Sequence, residues 1–210
     1  MAIVHDTTMR PTKLELLTRW LPTRSWFEGG RPPVLAKAGG FRIDDPAGEV
    51  GIEFMFLTDS SGYEPTAYAV PMTYRGARLD GADAALIGKS EHGVLGTRWI
   101  YDATRDPVFL AQAVDLLAGR AIAQDQNASD TPDPSVRIEA IEIDTPPPAF
   151  EITPVDDDRH TEIDLGTGVL VLHRVPSPAD ITGLPGHVHA SWTLPDGEPV
   201  SGIVLHAVAV

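Results

Sequence analysis

The stretch His92-Gly-Val-Leu-Gly-Thr-Arg-Trp-Ile-Tyr-Asp102, continuing through Ala-Thr-Arg-Asp106-Pro107-Val-Phe-Leu110, decides how the rest of the chain is read. Its first part alternates, with Val94, Gly96, Arg98 and Ile100 on one phase and Leu95, Thr97, Trp99 and Tyr101 on the other. Period-two alternation of β-branched and aromatic residues predicts a strand. The second part changes period: Asp106 suits an N-cap, Pro107 the first helical position, and Leu110, Val114 and Leu117 recur at helical spacing before Gly119. A strand that turns directly into an amphipathic helix is therefore expected at the centre of the fold.

Upstream, residues 2–5 suit a short edge strand, and Thr12 with Glu15 forms a capping box for a helix whose Leu14, Leu17 and Leu21 share a face. Pro22 stops that helix, and Glu28-Gly-Gly-Arg-Pro-Pro33 punctuates the chain. Three strands follow, through Phe41 and Ile43, Val50–Leu57 and Ala67–Tyr74, joined by the turns Asp44–Gly48 and Asp59–Gly62. Leu79–Ile87 reads as a short strand or turn. Downstream, residues 121–135 lose periodicity and predict a mobile polar excursion, and Val136–Ile143 resumes alternation. Pro146-Pro-Pro148 is a stiff spacer. Strands are then expected at Thr161–Leu165, Val169–Val175, His187–Thr193 and Val200–Val210. Runs of antiparallel strands with a few flanking helices define an α+β fold. Two parts are expected, residues 1–145 and residues 146–210.

Composition narrows the function classes. A chain of 210 residues with 42% hydrophobic and 22% charged residues has material for a real core. A net charge of −14 disfavours nucleic acids and anionic membranes, whose fields repel it. No apolar run reaches membrane-span length and the start, Met-Ala-Ile-Val-His-Asp, lacks the pattern of a signal peptide. With no cysteine, neither disulfides nor thiolate metal sites arise, and the expected location is cytoplasmic.

The run Glu-Leu-Leu-Thr-Arg-Trp-Leu-Pro within Leu14–Phe27, followed by Ser-Trp-Phe-Glu-Gly-Gly-Arg, resembles the opening of the N-terminal cap of bacterial maltokinases. The Gly-Thr-Arg-Trp-Ile-Tyr-Asp-Ala core of His92–Leu110 resembles a later part of that cap. The Pro-Thr-Lys-Leu-Glu-Leu-Leu opening is similar to standalone cap-like proteins of actinobacteria with no assigned activity. Gly166–Arg174 looks like the small-lobe strand of such kinases, of the form apolar-apolar-Lys-apolar-Arg, with His173 at the Lys position. That Lys holds nucleotide phosphates with a permanent charge, which a neutral imidazole replaces poorly. The chain ends at Val210, about where the hinge of such a kinase begins. The resemblance thus implies a pseudokinase-like module of carbohydrate metabolism, non-catalytic and cofactor-free, acting through a protein partner or a small sugar or nucleotide. The rival reading is the nucleotide- or sugar-binding half of a split sugar kinase completed by a second chain.

The residues themselves offer few sites. His187-Val-His189 has ligand spacing on a strand, with His173 or His206 as partners across a sheet, but no strong third ligand stands near, so no metal site is expected. Asp156-Asp-Asp158 lacks the spaced oxygens of a cation loop, and Gly166-Thr-Gly168 lacks the helix and Lys of a phosphate cradle. Glu53, Asp59, Asp102 and Glu142 are acids with no defined separation, and Ser25, Ser60 and Ser90 lack a nucleophile context. Trp20, Trp26, Phe27, Tyr74, Trp99 and Tyr101 read mainly as core, with Trp26 and Arg31 in the glycine turn the best candidates for ligand contact. Trp26, Arg31, His173 and Arg174 are the expected ligand-binding residues.

Overall fold

The computed structural model describes residues 8–146, 152–166, 168–178 and 185–209. The expected strand at 2–5 and most of the Pro146–Pro148 spacer lie outside them.

The first helix, α1 (Lys13–Trp20), starts as its sequence dictates. The Thr12 hydroxyl accepts from the Glu15 amide while the Glu15 carboxylate accepts from the Thr12 amide at 2.7 Å. Such a box contributes roughly 1 kcal/mol to the helix end. Pro22 ends the α-geometry, and the chain tightens into a 3₁₀ turn at Leu21–Thr23.

Seven strands form the first sheet, in the order β1-β5-β6-β4-β3-β2-β7 and antiparallel throughout. They are β1 (Met9–Arg10), β2 (Leu35–Ile43), β3 (Gly51–Asp59), β4 (Thr66–Arg75), β5 (Leu86–His92), β6 (Gly96–Asp102) and β7 (Ala123–Asp125). The second sheet orders β8-β12-β13-β11-β10-β9, from β8 (Arg137–Glu139), β9 (Val155–Asp156), β10 (His160–Asp164), β11 (Gly168–His173), β12 (His187–Thr193) and β13 (Pro199–Ala209). Helix α2 (Pro107–Leu117) is capped by Asp106, whose carboxylate accepts from the Val108 amide, with Pro107 at its first position and Gly119 (φ 69°) just past its end.

Alternation along β3 explains the layering. Ile52, Phe54 and Phe56 point to one side, with Phe41, Ile43, Phe109 and Leu110. Met55 and Leu57 point to the other, with Leu17, Leu21, Trp20 and Trp26. Sheet one is therefore covered on one face by α1 and on the other by α2 and sheet two. The core between the sheets is continuous: Leu170, Leu172, Val188, Trp192 and Leu205 belong to the same cluster as Phe54 and Phe56. Phe56 and Trp192 face each other with ring centroids 5.9 Å apart. Gly39 follows a β-bulge and adopts φ 145°, a conformation that side chains rarely take, and a Cβ there would stand 3.4 Å from the Ser191 carbonyl oxygen, so β2 and β12 run close together at this point.

Three sequence expectations are revised. The central strand does not run on from His92: Gly93, Val94 and Leu95 form a hairpin turn, with Val94 and Leu95 exposed. His92 Nδ1 accepts from the Val94 and Leu95 amides and fixes that turn. Residues 121–135 include β7, hydrogen-bonded to β2, and Asp125 accepts from the Asn127 and Ala128 amides, so this polar stretch is anchored. Within Val136–Ile143 only Arg137–Glu139 is strand, and it pairs with β12 in the second sheet.

Candidate functional site

The Asp102-Ala-Thr-Arg-Asp106 turn, where β6 becomes α2, carries two acids that the fold buries and uses. Asp106 is fully buried and accepts two hydrogen bonds from the Arg75 guanidinium at 2.6 and 2.7 Å while capping α2. Asp102 caps the 3₁₀ turn Ala103–Arg105 through the Thr104 amide, and its other oxygen accepts from Arg174 Nη2 at 2.6 Å. Arg174 is 1% exposed, donates to Thr161 through Nε at 2.7 Å, and lies 4.9 Å over the Trp26 ring. Its backbone carbonyl accepts from the Ala69 amide of β4. One residue just beyond β11 thus ties sheet two to sheet one by charge, ring stacking and backbone at once.

Two of the four expected ligand-binding residues, Trp26 and Arg174, are therefore brought together, but in the interior. Trp26 is fully buried, packed against Trp20 and Tyr68 as well as Arg174. Burial pushes the Tyr68 phenol up to about 12, and its oxygen accepts from the Glu28 amide. Arg31 stands apart on the surface, donating to the Pro22 carbonyl. The aromatic group follows the core reading: Trp20 and Tyr101 are buried, and Lys89 covers the Trp99 ring at 3.6 Å. Glu53, buried behind α1, binds Lys13 at 2.6 Å and Gln126 at 3.1 Å and takes the Tyr74 hydroxyl at 2.5 Å. Burial and the Glu53 carboxylate hold the Tyr74 phenol well above its ordinary range. Asp59 accepts from Val34, Ser61 and the Ser61 hydroxyl. Ser90, also buried, donates to the Pro11 carbonyl.

His173 joins a different arrangement. Register places His187 opposite His206, His206 beside β11, and His173 opposite His160. Four imidazoles thus form a row across β12, β13, β11 and β10 on the outer face of sheet two. His173 Nε2 and His206 Nδ1 are 2.8 Å apart, and the His160 ring stands edge-on to His173 at 4.7 Å. Facing nitrogens at that distance hold one proton between them. His189 lies two positions further along β12, past a register shift, its Nδ1 3.2 Å from Arg137 Nη2. Among the described residues no group of three or more His, Asp or Glu is arranged to hold a metal ion.

The row has a pH consequence. Burial first, then the His206 and His160 charges, bring His173 down from 6.5 to about 4, and burial lowers His206 as well. Asp157 and Glu162 oppose these shifts only weakly. Between pH 6.5 and 4 the unfolded chain takes up protons that the folded chain refuses, so stability falls as pH falls through that window. The melting temperature is expected to drop measurably from pH 7 to 5, above the main carboxylate range, and to drop less in the His173→Leu/His206→Leu double variant. Equal slopes in the two proteins would contradict this account.

With this geometry in place, the class is a sheet-rich α+β protein built around a buried acid-and-arginine turn. Residues 20–106 match the family model of the maltokinase N-terminal cap domain. The matched segment opens at Trp20, at the end of α1, runs through β2–β6, and closes on Asp106, the cap of α2. No curated protein matches the chain. No helix among the described residues is long and apolar enough to cross a membrane.

Sequence reasoning missed the pairings of Asp102 with Arg174 and Asp106 with Arg75. Asp106 was visible as a cap and Asp102 only as an acid of no defined separation from others, and their arginines lie 31 and 72 positions away. The local signal that was present is Asp102 two residues before Thr104, a spacing that suits an acid capping a turn.

Proposed function

We propose that the chain is a non-catalytic, cap-like module that acts by binding, through a sugar-related metabolite or a protein partner, and carries out no chemistry itself. The observation that carries this reading is the use made of the acids. Glu53, Asp59, Asp102 and Asp106 are each enclosed in hydrogen bonds that hold the fold, which leaves none of them poised to move a proton for a substrate. The cap-domain match over residues 20–106 supports the module part of the reading. The position expected to hold nucleotide phosphates, His173, faces another imidazole instead of an open cradle. A cytoplasmic location accords with the cysteine-free sequence.

Thermal-shift measurements on the full chain with maltose, glucose, glucosamine, sugar phosphates, ATP and ADP, with and without Mg²⁺, test it. A ligand at about 100 times its Kd adds nearly 3 kcal/mol of apparent stability, which is readily seen. The expected result is a shift with a sugar or sugar phosphate and none with nucleotide. A Mg²⁺-dependent nucleotide shift would overturn the non-catalytic reading in favour of a split kinase. If no compound shifts the transition, the metabolite arm falls.

A further inference from the structure

A cleft of about 380 Å³ opens between the first turn of α1 and the α1-side face of sheet one. Met9 of β1, Lys13 and Leu14 of α1, Lys37 of β2 and Met55 of β3 line it, with His92 at its end. The volume suits a small metabolite. Lys37 is placed there by register: it pairs with Leu57, and directly opposed residues share a face, here the face that packs on α1. The β-bulge that follows Lys37 turns the strand at this point.

The charge of the cleft runs against that of the chain. The whole molecule carries 30 acidic and 16 basic residues, yet the lining contains two lysines and no carboxylate. Lys13 is partly neutralised by Glu53 and lies 5.5 Å over the Tyr74 ring. Lys37 is exposed and takes part in none of the ion pairs among the described residues. Glu15, on the same helix end, is folded back onto Thr12, its carboxylate accepting from the Thr12 amide and hydroxyl. The helix terminus is therefore already satisfied, and the positive potential of the cleft comes from its lysines. Met9, Leu14 and Met55 offer an apolar floor beside them.

We propose that this cleft binds a phosphate monoester of a small metabolite, with the phosphate between Lys13 and Lys37 and the organic part on the methionine and leucine floor. A dianionic phosphate matches two ammonium donors, and a hydrogen bond between two charged groups is stronger than one between neutral groups. The inference rests on the metabolite arm of the function proposed above and names its ligand class and its place.

Isothermal titration of the full chain with glucose 6-phosphate as probe, and with glucose and inorganic phosphate as controls, tests it. Lys37 is the residue to change, because it is exposed and unpaired among the described residues, whereas Lys13 supports the buried Glu53. Glucose 6-phosphate is expected to bind the native protein more tightly than either control. Binding is expected to weaken at least about tenfold in Lys37→Glu with an unchanged melting temperature, and to be retained in Lys89→Glu, whose lysine sits over Trp99 outside the cleft. Equal affinity in native and Lys37→Glu proteins overturns the cleft assignment while leaving metabolite binding intact. Glucose binding without a phosphate preference does the same. Absence of binding by all three probes overturns the cleft assignment and counts against the metabolite arm as well.

Discussion

Arg174→Met is expected to destabilise the protein by about 3–5 kcal/mol, read as a lower urea midpoint with an unchanged slope. The substitution leaves the buried Asp102 carboxylate without its 2.6 Å partner and the Thr161 hydroxyl without its donor. An uncompensated buried charge is costly because the interior replaces little of the hydration it loses. The stacking of the guanidinium on Trp26 is lost as well, although methionine keeps part of the packing. The origin of the cost can be separated. In Arg174→Met/Asp102→Asn no charge is stranded and the amide oxygen can still accept from Thr104, so part of the stability is expected to return. A loss below about 1 kcal/mol in the single variant would mean that the pair is far better solvated than its burial implies.

Removal of sheet two is expected to have a larger effect still. A fragment ending at residue 145 retains the segment that matches the cap-domain model but loses β9 to β13. Phe41, Phe54, Phe56 and Phe109 would then face water where Leu170, Leu172, Val188, Trp192 and Leu205 now cover them. The β8 strand would lose β12, its partner. The fragment is expected to lack a cooperative thermal transition and near-ultraviolet circular dichroism and to bind a hydrophobic dye, the signs of a collapsed chain without fixed packing. A milder form of the same test is Trp192→Ala, expected to cost about 3–5 kcal/mol because the cavity opens against Phe56 between two sheets that cannot close on it. A sharp, native-like transition in the fragment would show instead that the first part folds alone. The two expected parts are thus proposed as one packed body, in which the chain changes sheet between β7 and β8, ahead of residue 145.

Local chemistry made much of this fold legible. Thr12 with Glu15, Asp106 with Pro107 and Gly119 mark helix ends through bonds made within a few residues, and each stands where the sequence put it. The limits of β12 coincide with the expected His187–Thr193, because its alternation is bounded by turn residues. Val94 and Leu95 misled because apolar residues at a hairpin tip look like strand when the flanking turn is held by a histidine ring. The polar run near Asp125 looked mobile because its anchors, backbone bonds to β2, the Arg42 guanidinium and the Asp125 turn, do not alter its polar, Pro-containing composition. The site was less legible for the same reason at longer range. His160, His173, His187 and His206 become neighbours only through the register of four strands, and Arg174 meets Asp102 only when the two sheets pack. Trp26 stood in a glycine-rich turn, which suggested exposure, yet its ring is the buried platform beneath that arginine.

The lengths of the strands carry a further meaning. The central strands β3, β4 and β13 run for 9, 10 and 11 residues, whereas the strands at the sheet margins, β1, β7, β8 and β9, have 2, 3, 3 and 2 among the described residues. A long margin would offer a ladder of unpaired peptide groups onto which another copy could zip, the first step toward fibrils. Margins this brief offer such a copy only a short ladder of their own, although β7 pairs with just Phe41–Ile43 of β2 and β8 with just His187–His189 of β12. Short margins of this kind are one way a β-rich fold limits growth along its strands, and the stretches of β2 before Phe41 and of β12 after His189, beyond the reach of β7 and β8, are where an added strand would have to pair.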